Sequence, residues 1–311
     1  MSPRRVLWVA VVAAVVYVAV GYWVLNNFEI PPLGPETIFL VVLAAVCQIS
    51  AKWFFGMLFR ESLQEVGQDL RPRSAFVAAL VGAGVARLIP AGGAITPVAM
   101  SWTVRDEVRG ATGAALRTVL LNYAGLLIMT GLGLLLARPR ESAQVASVSL
   151  IVLAPFVLGA GLLLMFGSGK LGTLSRFMPR GLRARLRRSM IDHLPALESQ
   201  FYIWARLILE AVALWLVLIA FGIDVNGFQV AAAFGTASLA GGLPGTPGGL
   251  GVTEIGLAFI LAAYGIPGAV AAVPILVFRV VSYWLPAALG FLAGGASFLG
   301  SEEAKKADEV L

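Results

Sequence analysis

Gly241-Gly242-Leu243-Pro244-Gly245-Thr246-Pro247-Gly248-Gly249 interrupts a long apolar stretch, residues 229–265. A related run, Ile89-Pro90-Ala91-Gly92-Gly93, interrupts residues 75–100. Proline removes a backbone donor and glycine exposes the backbone, so neither stretch can run through as one straight helix. Each arm is about half a membrane span at roughly 1.5 Å per residue. The breaks therefore predict two helical hairpins that dip into the bilayer and return to the side they entered.

The rest of the chain is the setting for these two features. Of its 311 residues, 59% are apolar and 13% are charged, against about a quarter charged in a soluble domain. Runs long enough to cross a bilayer, about 20 residues, predict full spans near 6–25, 37–58, 114–137, 144–166, 201–222 and 268–295. The first run, Val6 to Leu25, has no small-residue exit and is expected to be a retained helix. The fold class is thus an all-α polytopic membrane protein in one transmembrane domain, with about six spans and two re-entrant hairpins.

Charge placement orients it. With the N-terminus inside and both hairpins returning to their own side, sixteen lysines and arginines fall in inner loops, only Arg138 and Arg140 in outer ones, and five within apolar segments. That bias obeys the positive-inside rule and needs the first hairpin to enter from inside and the second from outside. Both termini are then cytoplasmic and the plasma membrane is the expected location. The net charge of +6 is a topology and headgroup signal and not a nucleic-acid one. The basic segment Gly181 to Pro195 reads as an interfacial helix on an anionic leaflet.

The same arrangement implies an inverted repeat: residues 37–137 form one unit and 201–296 the other, with a span and a basic loop, 144–200, between them. The breaks align without a gap, Ile89 to Pro97 against Thr246 to Glu254. Inverted repeats with broken helices at mid-membrane are a recurring plan in secondary transporters.

Candidate binding residues cluster at the breaks. A half-helix N-terminus near mid-membrane offers unpaired amides and a positive end, which attract anions. Glycines there let a ligand approach the backbone. The candidates are Pro90, Gly92, Gly93 and Thr96 at the first tip, and Pro247, Gly248, Gly249, Gly251, Thr253 and Glu254 at the second. A charge near the bilayer centre costs at least ~2.5 kcal/mol on insertion scales, which singles out Arg87, Glu210 and Arg279 as well. Tyr283 lies one turn beyond Arg279, in a span corresponding to that of Asn122 and Tyr123; core hydrogen bonding accounts for these three. Lys52 and Arg206 lie close enough to a predicted boundary for snorkelling to account for them, although Arg206 stands one turn before Glu210 and pairs naturally with it.

Catalytic patterns are lacking. Cys47 and His193 are the only cysteine and histidine, and there is no phosphate-binding GK[ST] loop and no metal-ligand cluster. No enzyme activity, metal or cofactor is expected. Gly131-x-Gly133 and Gly159-x-Gly161 give packing capacity, and a homo-oligomer is compatible with them.

Pro247-Gly-Gly-Leu-Gly-Val-Thr-Glu254, then Gly265-Ile-Pro267, then Arg279 with Tyr283-Trp-Leu-Pro286 and Gly290, resembles the lysylphosphatidylglycerol synthase transmembrane family, which includes the flippase domain of the multiple peptide resistance factor. Leu88 to Ala94 resembles its upstream motif. The resemblance implies a lipid flippase-like group, with a headgroup route between the hairpins, and gives Glu254 and Arg279 the family's acidic and basic sites. The family's soluble aminoacyl-transfer domain is not in this sequence, so synthesis of lysyl lipid is not expected. Pro97 and Val98 stand where an acidic residue is common, against a symmetrical two-acid mechanism.

The expected function is movement of an anionic phospholipid or lipid-linked precursor between leaflets. Transport of a small anionic solute through the same site is one rival. A non-transporting membrane partner of a lipid-modifying or glycosyl-transferring enzyme is the other.

Overall fold

A computed structural model describes residues 34–88, 92–137, 144–166, 195–242, 246 and 248–294, with the isolated positions 15, 22 and 26. The predicted span 6–25, most of the basic 167–200 loop, and the break residues Pro90 and Pro247 lie outside them. Every regular element among the described residues is helical: α1 Pro35–Gln64, α2 Pro72–Leu88, α3 Gly92–Thr103, α4 Thr112–Leu136, α5 Gln144–Phe166, α6 Leu197–Ala220, α7 Gly227–Gly241, α8 Val252–Ala263 and α9 Gly268–Arg279. α9 passes through a π-helical turn, Val280–Trp284, and continues as helix to Gly294. Lipid offers the backbone no hydrogen bonds, so a membrane chain pairs them within its own helices.

Among the described residues, four helices are long and apolar enough to cross a membrane: α1, α4, α6 and the stretch Gly268–Gly294. Their outward faces carry apolar side chains such as Phe39, Leu132, Ile208 and Leu292, while Lys52, Arg117, Glu210 and Arg279 are buried. Polarity is turned inward.

Both predicted breaks are real. α2 stops at Leu88 and α3 starts at Gly92; α7 stops at Gly241 and α8 starts at Val252. The arms fold back on each other. A Cβ at Gly82 in α2 would meet Met100 and Thr96 in α3, and one at Gly256 in α8 would meet Ala237 in α7. Local chemistry sets the ends of α7 and α8. Asn226 Oδ1 accepts from the amides of Phe228 and Gln229, and Gln229 Oε1 accepts from the Asn226 amide, a reciprocal cap at the start of α7. Gly248, Gly249 and Gly251 have φ of 54°, 72° and 81°, a left-handed path that glycine follows without strain.

The helices interlock across the two halves. α1 packs along α6. α4 packs on α7, where a Cβ at Gly133 would lie 2.5 Å from the Ala232 nitrogen. The far end of the α9 stretch meets α2 in the same manner, since a Cβ at Gly290 would strike the Leu80 carbonyl and Gly84. Gly131 and Gly161 close the α4–α5 contact, against Leu158 and Ile128 respectively. Those small residues hold this chain's own helices together.

Candidate functional site

The two breaks converge. Gly248 of the second lies so close to the end of α2 that a Cβ there would sit 2.7 Å from Arg87 Cα and 2.5 Å from Tyr283 Cε2. On the other side, Cβ atoms at Gly93 and at Gly242 would each lie 2.8 Å from the Tyr123 hydroxyl. Each tyrosine thus wedges between its own half's tip and the end of the opposite half's first arm. A cavity of about 220 Å³ opens between them, walled by α1, α2, α4, α6, α7, α9 and the two tips. A neighbouring hollow of about 150 Å³ shares Lys52, Arg87, Gly93 and Tyr123 with it and adds Thr96.

Of the candidate residues, Arg87, Gly93, Glu210, Gly248, Thr253, Arg279 and Tyr283 line the cavity. Thr96 lines the adjoining hollow. Glu254 stands beside the cavity through Arg279, its Oε1 accepting from Arg279 Nε at 2.7 Å. Gly92 opens α3, and Gly249 and Gly251 shape the second turn without lining the cavity.

Arg87 closes the C-terminal end of α2. Its guanidinium donates to the Ala83 carbonyl at 2.8 Å and to the Ser282 carbonyl at 2.7 Å, and no carboxylate bonds it among the described residues. Tyr283 returns the contact, its hydroxyl donating to the Arg87 carbonyl at 2.5 Å. A π-turn widens the helix by one residue per turn and re-aims what it carries, often at functional sites. Here it delivers the Ser282 carbonyl and the Tyr283 ring to the first half. The ring also lies under both cations, 4.6 Å from Arg279 Cζ and 5.6 Å from Arg87 Cζ.

Lys52 and Arg206 depart from expectation. Lys52 is 4% exposed and its ammonium is bonded to Glu210 Oε1. Arg206 Nη2 reaches the same oxygen at 3.3 Å, with its guanidinium over the Phe55 ring at 4.3 Å. Neither snorkels; both line the cavity. Gln48, one turn before Lys52, went unnoticed in the sequence because a lone glutamine in an apolar run carries no pattern. It is 1% exposed, and its Nε2 has no partner among the described residues. The same holds for Arg206 Nε and Nη1.

Two amides of the second tip are already bonded within the turn. At the second tip the Thr253 amide donates to the Gly249 carbonyl at 2.9 Å, and Ile255 to Gly251 at 2.9 Å. The cavity's positive charges are carried by the side chains of Lys52, Arg87, Arg206 and Arg279. Chemically it offers guanidinium, ammonium and amide donors in one pocket, a set suited to an oxyanion.

A sequence model of the lysylphosphatidylglycerol synthase transmembrane region matches residues 5–290. A UPF0104 membrane protein of Methanothermobacter thermautotrophicus is 27% identical over 303 residues, covering 86% of this chain and 87% of that protein. A UPF0104 membrane protein of Methanocaldococcus jannaschii is 35% identical over 88 residues, 28% of this chain and 26% of that one.

Proposed function

The chain belongs to the lysylphosphatidylglycerol synthase transmembrane-region family, and from that premise we propose that it is a lipid flippase-like transporter. It moves an anionic phospholipid or lipid-linked precursor between leaflets, without enzymatic chemistry of its own. The observation that carries this reading is the cavity between the two breaks, lined by Arg87, Arg206, Arg279 and Lys52. An apolar exterior with a cationic interior is the polarity a headgroup path needs. In this reading the chain is a multi-pass plasma-membrane protein with six spans, both termini cytoplasmic, and two re-entrant hairpins related as an inverted repeat. The phosphate passes between the tips while the acyl chains stay in lipid. Arg87 and Arg206 draw it in, and the Glu254–Arg279 pair positions or gates it.

Reconstitution tests the reading. Proteoliposomes carrying fluorescent lipids of several headgroups are expected to show faster transbilayer movement of anionic lipids than protein-free vesicles. Arg87→Gln, which leaves the Glu254–Arg279 pair intact, is expected to slow that movement about tenfold, the worth of one charge-assisted contact. Failure to accelerate any lipid in a broad panel overturns the proposal. Uptake of a small anionic solute with lipids left in place transfers the site to the rival transporter.

A further inference from the structure

Counting charge at the cavity goes one step beyond anion binding and rests on that reading. Among the described residues, Lys52, Arg87, Arg206 and Arg279 face two carboxylates, Glu210 and Glu254. Glu254 answers Arg279 alone. One oxygen of Glu210 answers both Lys52 and Arg206, which leaves a full positive charge in that trio. Arg87 is held by carbonyl oxygens, which orient a guanidinium without cancelling its charge. Among the described residues two positive charges remain. The break residues 89–91, 243–245 and 247 are uncharged.

Uncompensated charge in a low-dielectric interior is expensive, and the compensation must come from what enters. The donors left over are arranged for one compact acceptor: Gln48 Nε2, Arg206 Nε and Arg206 Nη1 are all buried and unbonded among the described residues. We infer that the cavity selects a phosphate carrying two negative charges, a terminal phosphomonoester, over a singly charged phosphodiester. The monoester has three terminal oxygens for these donors and a charge near −2 above its second pKa of about 6. A diester brings one charge fewer and leaves one cation unanswered.

The discriminating pair differs by one methyl group. Binding of dioctanoyl phosphatidate and of dioctanoyl phosphatidylmethanol to the detergent-solubilised full chain is compared by calorimetry at about pH 7, with inorganic phosphate as a third arm. Phosphatidate is expected to bind about tenfold tighter than its methyl ester, from the extra charge. In Arg206→Gln that preference is expected to shrink to about twofold or less. Gln48→Leu should weaken both lipids alike, since an amide supplies a donor but no charge. The wild-type comparison does not depend on any variant folding. Equal affinity for the two esters overturns the dianion inference and leaves the anion-site reading standing. Binding of neither lipid nor inorganic phosphate overturns both. Inorganic phosphate that binds as tightly as phosphatidate supports the dianion and assigns it to a free phosphate; weaker binding assigns it to a lipid headgroup.

Discussion

In the second half, the arginine of the closing helix meets a carboxylate from the hairpin tip: Arg279 Nε to Glu254 Oε1, 2.7 Å. In the first half, the position aligned with Glu254 is Pro97, inside α3. Glu254 sits in the first turn of α8, where a negative charge also favours the helix end. Pro97 contributes no charge and deprives the Gly93 carbonyl of its helical donor. The first half's deep cation, Arg87, is held by carbonyls, one of them from the opposite half. One hairpin is thus electrostatically closed and the other open. On the proposed inverted repeat, this asymmetric charge pattern would hold an anion at one hairpin and release it at the other.

The largest effect should come from breaking the closed side. Glu254→Gln leaves the Arg279 guanidinium, 7% exposed, without its carboxylate. Removing one member of a buried pair costs about 3–5 kcal/mol, and a loss near the top of that range is expected in chemical unfolding of the purified protein. Glu254→Gln with Arg279→Gln should recover most of it. Arg87→Gln should cost about 2 kcal/mol, since it removes two hydrogen bonds to carbonyls and leaves no unpaired carboxylate. Equal losses at Glu254 and Arg87 would end the distinction between closed and open hairpins.

Next in size is the equivalence of the frames. Gly133 and Gly290 hold corresponding contacts, α4 on α7 and the α9 stretch on α2. Valine at either place drives methyl groups into backbone of the opposite half, and overpacking of this kind costs about 1–3 kcal/mol. Each variant should lose about 2 kcal/mol, read as matching falls in midpoint. A large loss at one and none at the other would mean that the halves do not share a packing plan.

The frame was far more legible in the sequence than the charge pattern. Glycine and proline punctuate helices through backbone chemistry alone, so both breaks and the four long apolar helices could be read without tertiary information. The expectation for Lys52 and Arg206 failed because it depended on where helices end. Span 37–58 puts Lys52 six residues from a boundary, but α1 runs on to Gln64. α6 begins at Leu197, four residues ahead of the expected start at 201. Both cations therefore lie farther from their helix ends than the predicted spans place them, and Glu210 gives them a reason to stay. The π-turn at Val280–Trp284 left no sequence signal, because an extra residue per turn within apolar sequence changes neither composition nor length. Arg87, Glu210 and Arg279 were legible for the opposite reason: a charge that deep always needs an account. Their pairing was not, since α1 and α6 meet only in the fold.

The smallest effects separate the two tyrosines. Tyr283 and Tyr123 occupy corresponding places, yet the Tyr283 hydroxyl bonds the Arg87 carbonyl, whereas the Tyr123 hydroxyl lies beside Gly93 and Gly242 and both residues line the cavity. Deleting the Tyr283 hydroxyl removes a bond between halves and leaves a carbonyl unanswered, so Tyr283→Phe should cost about 1 kcal/mol. Tyr123→Phe should change unfolding by less than about 0.5 kcal/mol, the range of substitutions away from such networks, and any change should fall on transport. The hydroxyl stands between Gly93 and Gly242, so its removal widens that gap by one oxygen atom. A modest rise in lipid movement with stability unchanged would mark Tyr123 as part of the constriction. Loss of stability at Tyr123 equal to that at Tyr283 would instead make the pair a matched set of struts, and would return the asymmetry to Glu254 and Pro97 alone.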